Sequence, residues 1–477
     1  MYDLVVIGGG SAGVTFAKFG PRLGARVAII EAHKLGGDCT WTGCVPSKTL
    51  IHAAKAAHTV RTAGRYGIRP QSVEIDFAAV MRHVRSVQEE IYEHDDSPEV
   101  LRRAGAEIIE GRARFVAEDA VEVNGRTIRA KHFCIATGSH PAAPPIDGLA
   151  EAGYLTNESV FLIDELPKRL LVIGGGPIGC ELGQSFARLG AQVTIVQRAG
   201  RLLDRDDAEL GPALQACLEA EGIAVRLNAE VRRVRRGPGG KLATIALAGG
   251  GESELEVDEI LVAAGRVPNL KELGLDTAGV LYDAGKGVTV DAYLRTSNPR
   301  IFACGDVIGR YQFTHMAGAE AGLVMRNAFF PLQSKMGYGL VPWATFTDPE
   351  VAHAGLNEDE ARARYGKQLK VFRLPWTNND RARTESDTAG FAKLLTVGRK
   401  NKLVGAHIIG AGAGDLIHEL VAVMQAGLGL SAVSGPIHVY PTRSIGVRNA
   451  AQQALTGFLD HPLGQRLLRG YFKLFGA

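Results

Sequence analysis

Two separate segments of the chain share one pattern: a short apolar run, a glycine-rich turn, a helical stretch and a second apolar run. In the first segment, residues 2–7 read YDLVVI and lead directly into GGGSAG at residues 8–13. Such a run is typical of a strand buried on both faces of a parallel sheet. The glycines fit G-x-G-x-x-G: Gly8 allows the tight turn, Gly10 lets backbone N–H groups approach a pyrophosphate, and Gly13 permits close helix–strand packing.

The first segment also carries an acid at the position that a nucleotide site requires. The second apolar run, residues 25–30, ends in Glu31, which is placed to accept hydrogen bonds from a ribose, while the helix N-terminus attracts the phosphates. A glycine pattern alone can be an ordinary turn. The order of strand, helix, strand and acid instead predicts a dinucleotide site.

The second segment repeats the pattern with one change. Its strands are predicted at residues 169–173 and 192–196, and its turn glycines are Gly174, Gly176 and Gly179. At the offset where the first segment has Glu31, the second has Gln197, followed by Arg198. A carboxylate there favours a free ribose 2′-hydroxyl, whereas arginine accommodates a 2′-phosphate. We therefore expect a flavin and a nicotinamide nucleotide, with NADPH favoured and NADH as the alternative.

Length and charge narrow the class of protein. A chain of 477 residues is too long for one core, so several domains are expected. The formal net charge of +3 is nearly balanced, which argues against a nucleic-acid surface. The first residues carry no basic leader, and their apolar run is too short to span a bilayer. A cytoplasmic protein is the expectation.

A cysteine pair follows the first nucleotide segment. Residues 37–48 read GDCTWTGCVPSK, with Cys39 and Cys44 five positions apart. In a reducing compartment, such a pair is more often catalytic or metal-binding than structural. A structural disulfide, a zinc site with two further ligands, and two inert thiols are the alternatives. A helix that begins near Cys44 would lower the pKa of that thiol through its N-terminal dipole.

Further motifs accompany these in a fixed order: ATGS at residues 136–139, GRVPN at 265–269, IFACGD at 301–306 and FTDPE at 346–350. Together with both glycine turns and the cysteine pair, they resemble the class I pyridine nucleotide-disulfide oxidoreductases. The similarity is greatest to the branch of mercuric reductase and dihydrolipoyl dehydrogenase, and it extends to about residue 455.

The resemblance implies an α/β fold with two Rossmann-type dinucleotide-binding domains and a C-terminal α+β dimerisation domain. It places an FAD-binding domain at residues 1–148 and 275–341, an NAD(P)-binding domain at 149–274, and the dimerisation domain at 342–455. A homodimer is therefore expected. No resident metal ion is implied.

The resemblance also implies a role for each motif. Cys39 and Cys44 would form a redox-active disulfide against the flavin, with Cys44 next to the ring and Cys39 meeting the acceptor. Lys48 and Glu181 would form an ion pair beside the flavin, unless both are ordinary solvated helix charges. The expected cofactor contacts also include a set outside the two glycine turns: Thr137, Gly138, Gly265, Arg266 and Asp306. Asp306 can serve as a helix N-cap as well.

One motif departs from the pattern of the resembling family. Its disulfide-reducing members carry a histidine and a glutamate from the partner subunit, at positions occupied here by Tyr440 and Ile445. A phenol with a pKa of about 10 cannot act as a general base at neutral pH. His438, two residues before Tyr440, is either a substitute base or a structural histidine. Mercuric reductase also has tyrosine there, because metal exchange between thiolates needs no such base.

The last residues, 456–477, are predicted to form a basic amphipathic helix. It is expected to pack across the dimer, and contact with a membrane surface is the alternative. We expect a flavoenzyme that passes electrons from NADPH through FAD and the cysteine pair to a disulfide or a metal ion. The alternatives are a quinone reductase or diaphorase with direct transfer from the flavin, and a redox-sensing protein with little turnover.

Overall fold

The computed structural model describes residues 1–460 and 462–476. The N-terminal elements are β1 (Tyr2–Ile7), α1 (Ser11–Phe19), β2 (Val27–Glu31), α2 (Gly37–Trp41), α3 (Cys44–Thr62), α4 (Phe77–Ile91), α5 (Pro98–Arg103), β3 (Glu107–Glu110), β4 (Arg114–Ala117), β5 (Ala120–Val123), β6 (Arg126–Ile135) and β7 (Ser139–Pro141). The middle elements are α6 (Leu149–Ala152), β8 (Arg169–Ile173), α7 (Pro177–Leu189), β9 (Gln192–Gln197), α8 (Leu210–Ala220), β10 (Ala224–Leu227), β11 (Glu230–Gly237), β12 (Gly240–Ala246), β13 (Glu252–Val257), β14 (Glu259–Val262) and β15 (Arg266–Pro268). The remaining elements are β16 (Tyr282–Asp283), β17 (Gly287–Val288), β18 (Ile301–Ala303), α9 (Thr314–Phe329), β19 (Trp343–Thr345), β20 (Glu350–Gly355), α10 (Glu358–Tyr365), β21 (Leu369–Pro375), α11 (Asp380–Thr384), β22 (Phe391–Val397), β23 (Lys402–Gly410), α12 (Ala413–Gln425), α13 (Ser431–Ser434), α14 (Arg443–Asp460) and α15 (Pro462–Phe475).

The first glycine turn belongs to a mainly parallel sheet with the order β3-β2-β1-β6-β5-β4. Strand β18 joins the same sheet by pairing in parallel with β6, so that Phe302 lies beside Cys134. This pairing brings a segment from after the second nucleotide unit back to the first.

The second glycine turn belongs to a four-stranded parallel sheet with the order β10-β9-β8-β14. Helix α7 follows β8 directly and packs on β9, as the strand–turn–helix–strand pattern requires. A separate antiparallel sheet, β11-β12-β13, is added to this unit. The strands β7 and β15, which lie in the chain segments linking the first two units, pair antiparallel.

The C-terminal unit is an antiparallel sheet, β19-β20-β23-β22-β21, with helices α12 and α14 packed on it. The predicted fold class is confirmed. The predicted start of the C-terminal helix at residue 456 is wrong, because α14 continues through that position and α15 begins at Pro462. Residues 461 and 477 of that predicted segment lie outside the described part of the chain. Within the described ranges, none of the helices combines the length and apolarity needed to cross a membrane.

Candidate functional site

A large cleft with a volume of about 2440 Å³ connects both glycine turns with the cysteine pair. Sites for single small ligands commonly measure about 300–1,000 Å³, so this cleft has room for two extended cofactors. Most of the predicted site residues line it: Gly8, Gly10, Glu31, Cys39, Cys44, Lys48, Thr137, Gly138, Gly174, Gly176, Glu181, Gln197, Arg198, Gly265, Arg266 and Asp306. Gly13 and Gly179 lie in α1 and α7, outside the lining.

The first glycine turn brings backbone groups very close together. A Cβ atom added to Gly8, whose φ is +115°, would lie 2.2 Å from the carbonyl oxygen of Ala136, and one added to Gly13 would lie 2.2 Å from the carbonyl oxygen of Gly8. Only glycine fits such distances. The Glu31 carboxylate accepts a hydrogen bond from the Gly9 N–H at 2.6 Å. This holds the end of β2 against the turn, with the carboxylate in the cleft wall.

Asp306 lies at the far end of the same unit, directly after β18. Its carboxylate accepts a hydrogen bond from the Ser139 hydroxyl at 2.6 Å, and burial raises its pKa. The Arg266 guanidinium donates to the hydroxyl and carbonyl oxygens of Ser139 at 2.7 and 2.9 Å and lies 3.7 Å from Asp306. The Thr137 hydroxyl donates to the carbonyl oxygen of Asn269. The ATGS and GRVPN motifs are therefore in direct contact, although about 130 residues separate them.

The second glycine turn has the same geometry without the carboxylate. An added Cβ at Gly174 would lie 2.4 Å from the carbonyl oxygen of Ala263. Gln197 takes the place of Glu31, because its side-chain oxygen accepts a hydrogen bond from the Gly175 N–H at 3.1 Å. Arg198, the next residue, is exposed in the cleft. This end of the cleft therefore presents a cation and no acid at the end of β9.

The two cysteine thiols both line the cleft, where each shifts the pKa of the other, and Cys44 is at the first position of α3. The hydrogen bond from Cys39 is the main reason that the pKa of Cys44 falls to about 6; the Thr314 hydroxyl and the Lys48 ammonium act in the same direction. The pKa of Cys39 is raised, chiefly by the same hydrogen bond and by burial. One thiol is thus prepared to ionise at neutral pH while its neighbour retains its proton.

Lys48 and Glu181 form an ion pair, with 3.0 Å between Nζ and the carboxylate. Only 6% of the Glu181 side chain is exposed, which excludes an ordinary solvated charge. Glu181 is the fifth residue of α7. Its second carboxylate oxygen accepts a hydrogen bond from the Phe346 N–H, and the Lys48 ammonium lies 4.6 Å from the centre of that phenyl ring. The ion pair therefore links α3, α7 and the FTDPE segment.

Tyr440 and His438 lie away from this cleft in the C-terminal unit. Tyr440 is 68% exposed, and its hydroxyl donates to the Asp380 carboxylate at 3.1 Å. His438 contacts the Glu419 carboxylate at 3.1 Å. Residues 436–442, which include both side chains, have no regular secondary structure. Within one chain, the structure does not bring either residue to the cysteine pair.

Sequence reasoning missed several residues of the cleft. The Thr314 hydroxyl lies 3.4 Å from the sulfur of Cys44, across 270 positions of sequence. Four rings line the cleft beyond it, which we call the aromatic row: Tyr311, Phe313, His315 and Trp343. Neighbouring ring centres in this row are 5.3 to 6.4 Å apart. The clustering of aromatic residues at 311–315 was the available signal.

Two further cysteines are in contact in the core. The sulfur atoms of Cys134 and Cys304 are 3.6 Å apart, because β6 and β18 are adjacent, and both residues are fully buried. In the described part of the chain, no group of three or more histidine, cysteine or acidic side chains is arranged to hold a metal ion.

Several known proteins resemble this chain in sequence and in structure. It is 36% identical to a mercuric reductase of Bacillus cereus over 94% of this chain and 71% of the relative. It is also 36% identical to a dihydrolipoyl dehydrogenase of Thermus scotoductus, over 94% of this chain and 97% of that protein. The HOCl-induced flavoprotein disulfide reductase RclA of Escherichia coli superimposes with a TM-score of 0.85 at 28% identity, covering 94% of this chain and 99% of RclA.

Two family models account for most of the chain. The pyridine nucleotide-disulphide oxidoreductase model matches residues 2–321, and the dimerisation domain of the same family matches residues 341–451. The second match supports a homodimer. Family members bind FAD and use NAD(P)H. On these matches and on the arrangement of its cleft, the chain belongs to the class I pyridine nucleotide-disulfide oxidoreductases.

Proposed function

We propose that this protein uses NADPH to reduce a thiol-reactive acceptor, either a soft metal ion or a disulfide, through Cys39 and Cys44. The observation that carries the proposal is the placement of both thiols in one cleft, with Cys44 at the start of α3 and 3.4 Å from the Thr314 hydroxyl. The opposite pKa shifts of the two thiols agree with this placement. A thiolate is the reactive form of cysteine toward both classes of acceptor. Buried structural cysteines do not acquire a pKa of about 6.

The residues of the cleft fit FAD and a nicotinamide nucleotide. In this proposal, the first glycine turn, Glu31 and Asp306 hold FAD, while the second turn and Arg198 hold NADPH. The absence of an acid at Gln197 and the exposed cation beside it support a nucleotide with a 2′-phosphate. When bound, these cofactors supply hydride and two-electron transfer. The predicted domain limits remain part of the proposal.

The chain's own residues then hold charge and protons at defined atoms. The Lys48 ammonium beside Cys44 favours the thiolate. The Glu181 carboxylate, whose side chain is 6% exposed, pairs with that ammonium, whose side chain is 37% exposed. Removing Lys48 would therefore leave a buried carboxylate without its cation. Cys39 retains its proton until an acceptor replaces it. We assign Cys39 to contact with the acceptor by resemblance to the family.

The surroundings of Tyr440 support a metal ion over a disulfide as the acceptor. The hydrogen bond to Asp380 raises the pKa of Tyr440, so the phenol stays protonated at neutral pH and cannot act as a base. Exchange of a soft metal ion between thiolates needs no such base. Four of the relatives are named mercuric reductases, and a Cu(II) complex of RclA superimposes with a TM-score of 0.82 at 27% identity.

Anaerobic NADPH oxidation with separate additions of Hg(II), Cu(II), glutathione disulfide and lipoamide tests the proposal. We expect turnover with at least one metal ion, and its loss in Cys39→Ser and in Cys44→Ser. Cys217→Ser is the matched control, because this half-buried cysteine lies outside the cleft. Full metal-dependent turnover in Cys39→Ser would contradict the proposal. Negligible turnover with every acceptor would favour the redox-sensing alternative.

The aromatic row favours a second candidate function, direct reduction of a quinone. Stacked rings on the wall of a cleft suit a planar aromatic molecule. Thr314, the neighbour of Cys44, lies between Phe313 and His315 of the row in sequence. Quinone reduction would survive Cys39→Ser and would show a higher KM in Trp343→Ala. Tyr282→Ala, at an exposed ring outside the cleft, is the control.

A further inference from the structure

The C-terminal helix α15 leaves a large apolar surface uncovered. Gly464 is the one buried residue among those described in it. The exposed fractions are 62% for Leu467, 63% for Phe472, 78% for Leu474 and 72% for Phe475. Large apolar side chains exposed together on one short helix form a contiguous patch. On most soluble proteins, exposed apolar residues are instead scattered singly.

The polar side of the same helix carries charge of one sign. At 3.6 residues per turn, its leucine and aromatic side chains fall on about half of the circumference, and the opposite side holds Arg466, Arg469 and Lys473. Residues 462–475 contain no aspartate or glutamate. A helix that needs only solubility usually mixes charges of both signs. A basic face opposite a leucine- and aromatic-rich face is instead typical of helices that lie in a membrane interface.

Helix α15 lies outside the segments that match the two family models. The dimerisation-domain match ends at residue 451, before α15 begins. Fourteen residues of helix extend about 21 Å, which is too short to span a hydrocarbon core of about 30 Å. A helix of this length can lie parallel to the bilayer surface.

We propose that α15 is a membrane-surface anchor, which inserts its apolar face into the interface of a bilayer that contains anionic lipids. The cations on its opposite face would interact with the lipid phosphates. This proposal does not depend on the identity of the electron acceptor.

Cosedimentation of the full-length holoenzyme with lipid vesicles tests the anchor. We expect binding to vesicles that contain phosphatidylglycerol, weaker binding to pure phosphatidylcholine, and a decrease in high salt because salt screens the charges. Replacing Arg466, Arg469 and Lys473 together with glutamine should weaken binding to the anionic vesicles by about 100-fold, at about fivefold per basic residue.

A matched variant controls for the loss of net charge. Arg399, Lys400 and Lys402 are exposed at the turn between β22 and β23, and replacing these three with glutamine should leave vesicle binding unchanged. Phe472→Ser should weaken binding to both kinds of vesicle by about tenfold or more, because it removes buried apolar area. The cleft and its NADPH-dependent activity should be unaffected in each variant.

Two results would overturn the proposal. One is equal binding of anionic vesicles by the α15 charge variant, the control variant and the unmodified protein, or binding by none of them. The other is dissociation of the dimer, measured by sedimentation velocity, when residues 462–477 are deleted. That outcome would assign the apolar face to the contact between subunits.

Discussion

Replacing Cys39 with alanine should move the ionisation of Cys44 to higher pH. The hydrogen bond from Cys39 is the largest cause of the low pKa of Cys44, which is about 6 against an ordinary value of 9.0. At pH 7, a thiol with a pKa of 6 is about 90% thiolate, and one with a pKa of 9 is about 1% thiolate. The midpoint of Cys44 ionisation in Cys39→Ala is therefore expected to rise by up to about three pH units.

The midpoint of a pH profile measures this shift better than a rate at one pH. A thiolate with a higher pKa is also a stronger nucleophile, by about 20-fold for three units, which offsets much of the fall in thiolate fraction. The assay is alkylation of the dithiothreitol-reduced protein with iodoacetamide across a range of pH, with the Cys44 peptide quantified by mass spectrometry. In the unmodified protein, we expect labelling to rise with a midpoint near pH 6.

Two further variants make the result specific. Thr314→Val removes the next hydrogen bond to Cys44 and should raise the midpoint by a smaller amount. Cys217→Ala removes a half-buried thiol outside the cleft and should leave it unchanged. A midpoint near pH 9 in the unmodified protein, or one that stays near pH 6 in Cys39→Ala, would refute the account of the cysteine pair.

Four other substitutions test the surrounding structure. Arg188 is 6% exposed and pairs with two carboxylates, so Arg188→Met should destabilise by about 3–5 kcal/mol, seen as a lower thermal midpoint. Arg233→Gln, in an exposed pair, should cost less than about 1 kcal/mol. Gly174→Ala should weaken NADPH binding in calorimetry without lowering the flavin absorbance per chain, because its Cβ would lie 2.4 Å from a carbonyl oxygen. Arg198→Ala should weaken NADPH binding relative to NADH by about 10- to 100-fold, the value of a hydrogen bond to a charged group; equal loss for both would contradict the assignment.

The local parts of this protein could be predicted because they depend on neighbouring residues. The strand, glycine turn, helix and second strand of each nucleotide unit are continuous in sequence, so both units were predicted from short stretches. The start of α3 at Cys44 follows for the same reason. The second unit has Gln197 at the position that Glu31 occupies in the first unit. This difference was visible when the two segments were aligned by their glycine turns. The close contacts of Gly8 with Ala136 and of Gly174 with Ala263 were not predicted.

The contacts between distant segments were decided by the tertiary structure. Thr314 approaches Cys44 because α9 begins beside the cleft, and Cys134 approaches Cys304 because β18 pairs with β6. No spacing in the sequence encodes such contacts, because loops of any length can separate two segments that pack together. The sequence alone therefore determined which chemical groups are available and how each is held locally. Only the folded chain decided which of them meet.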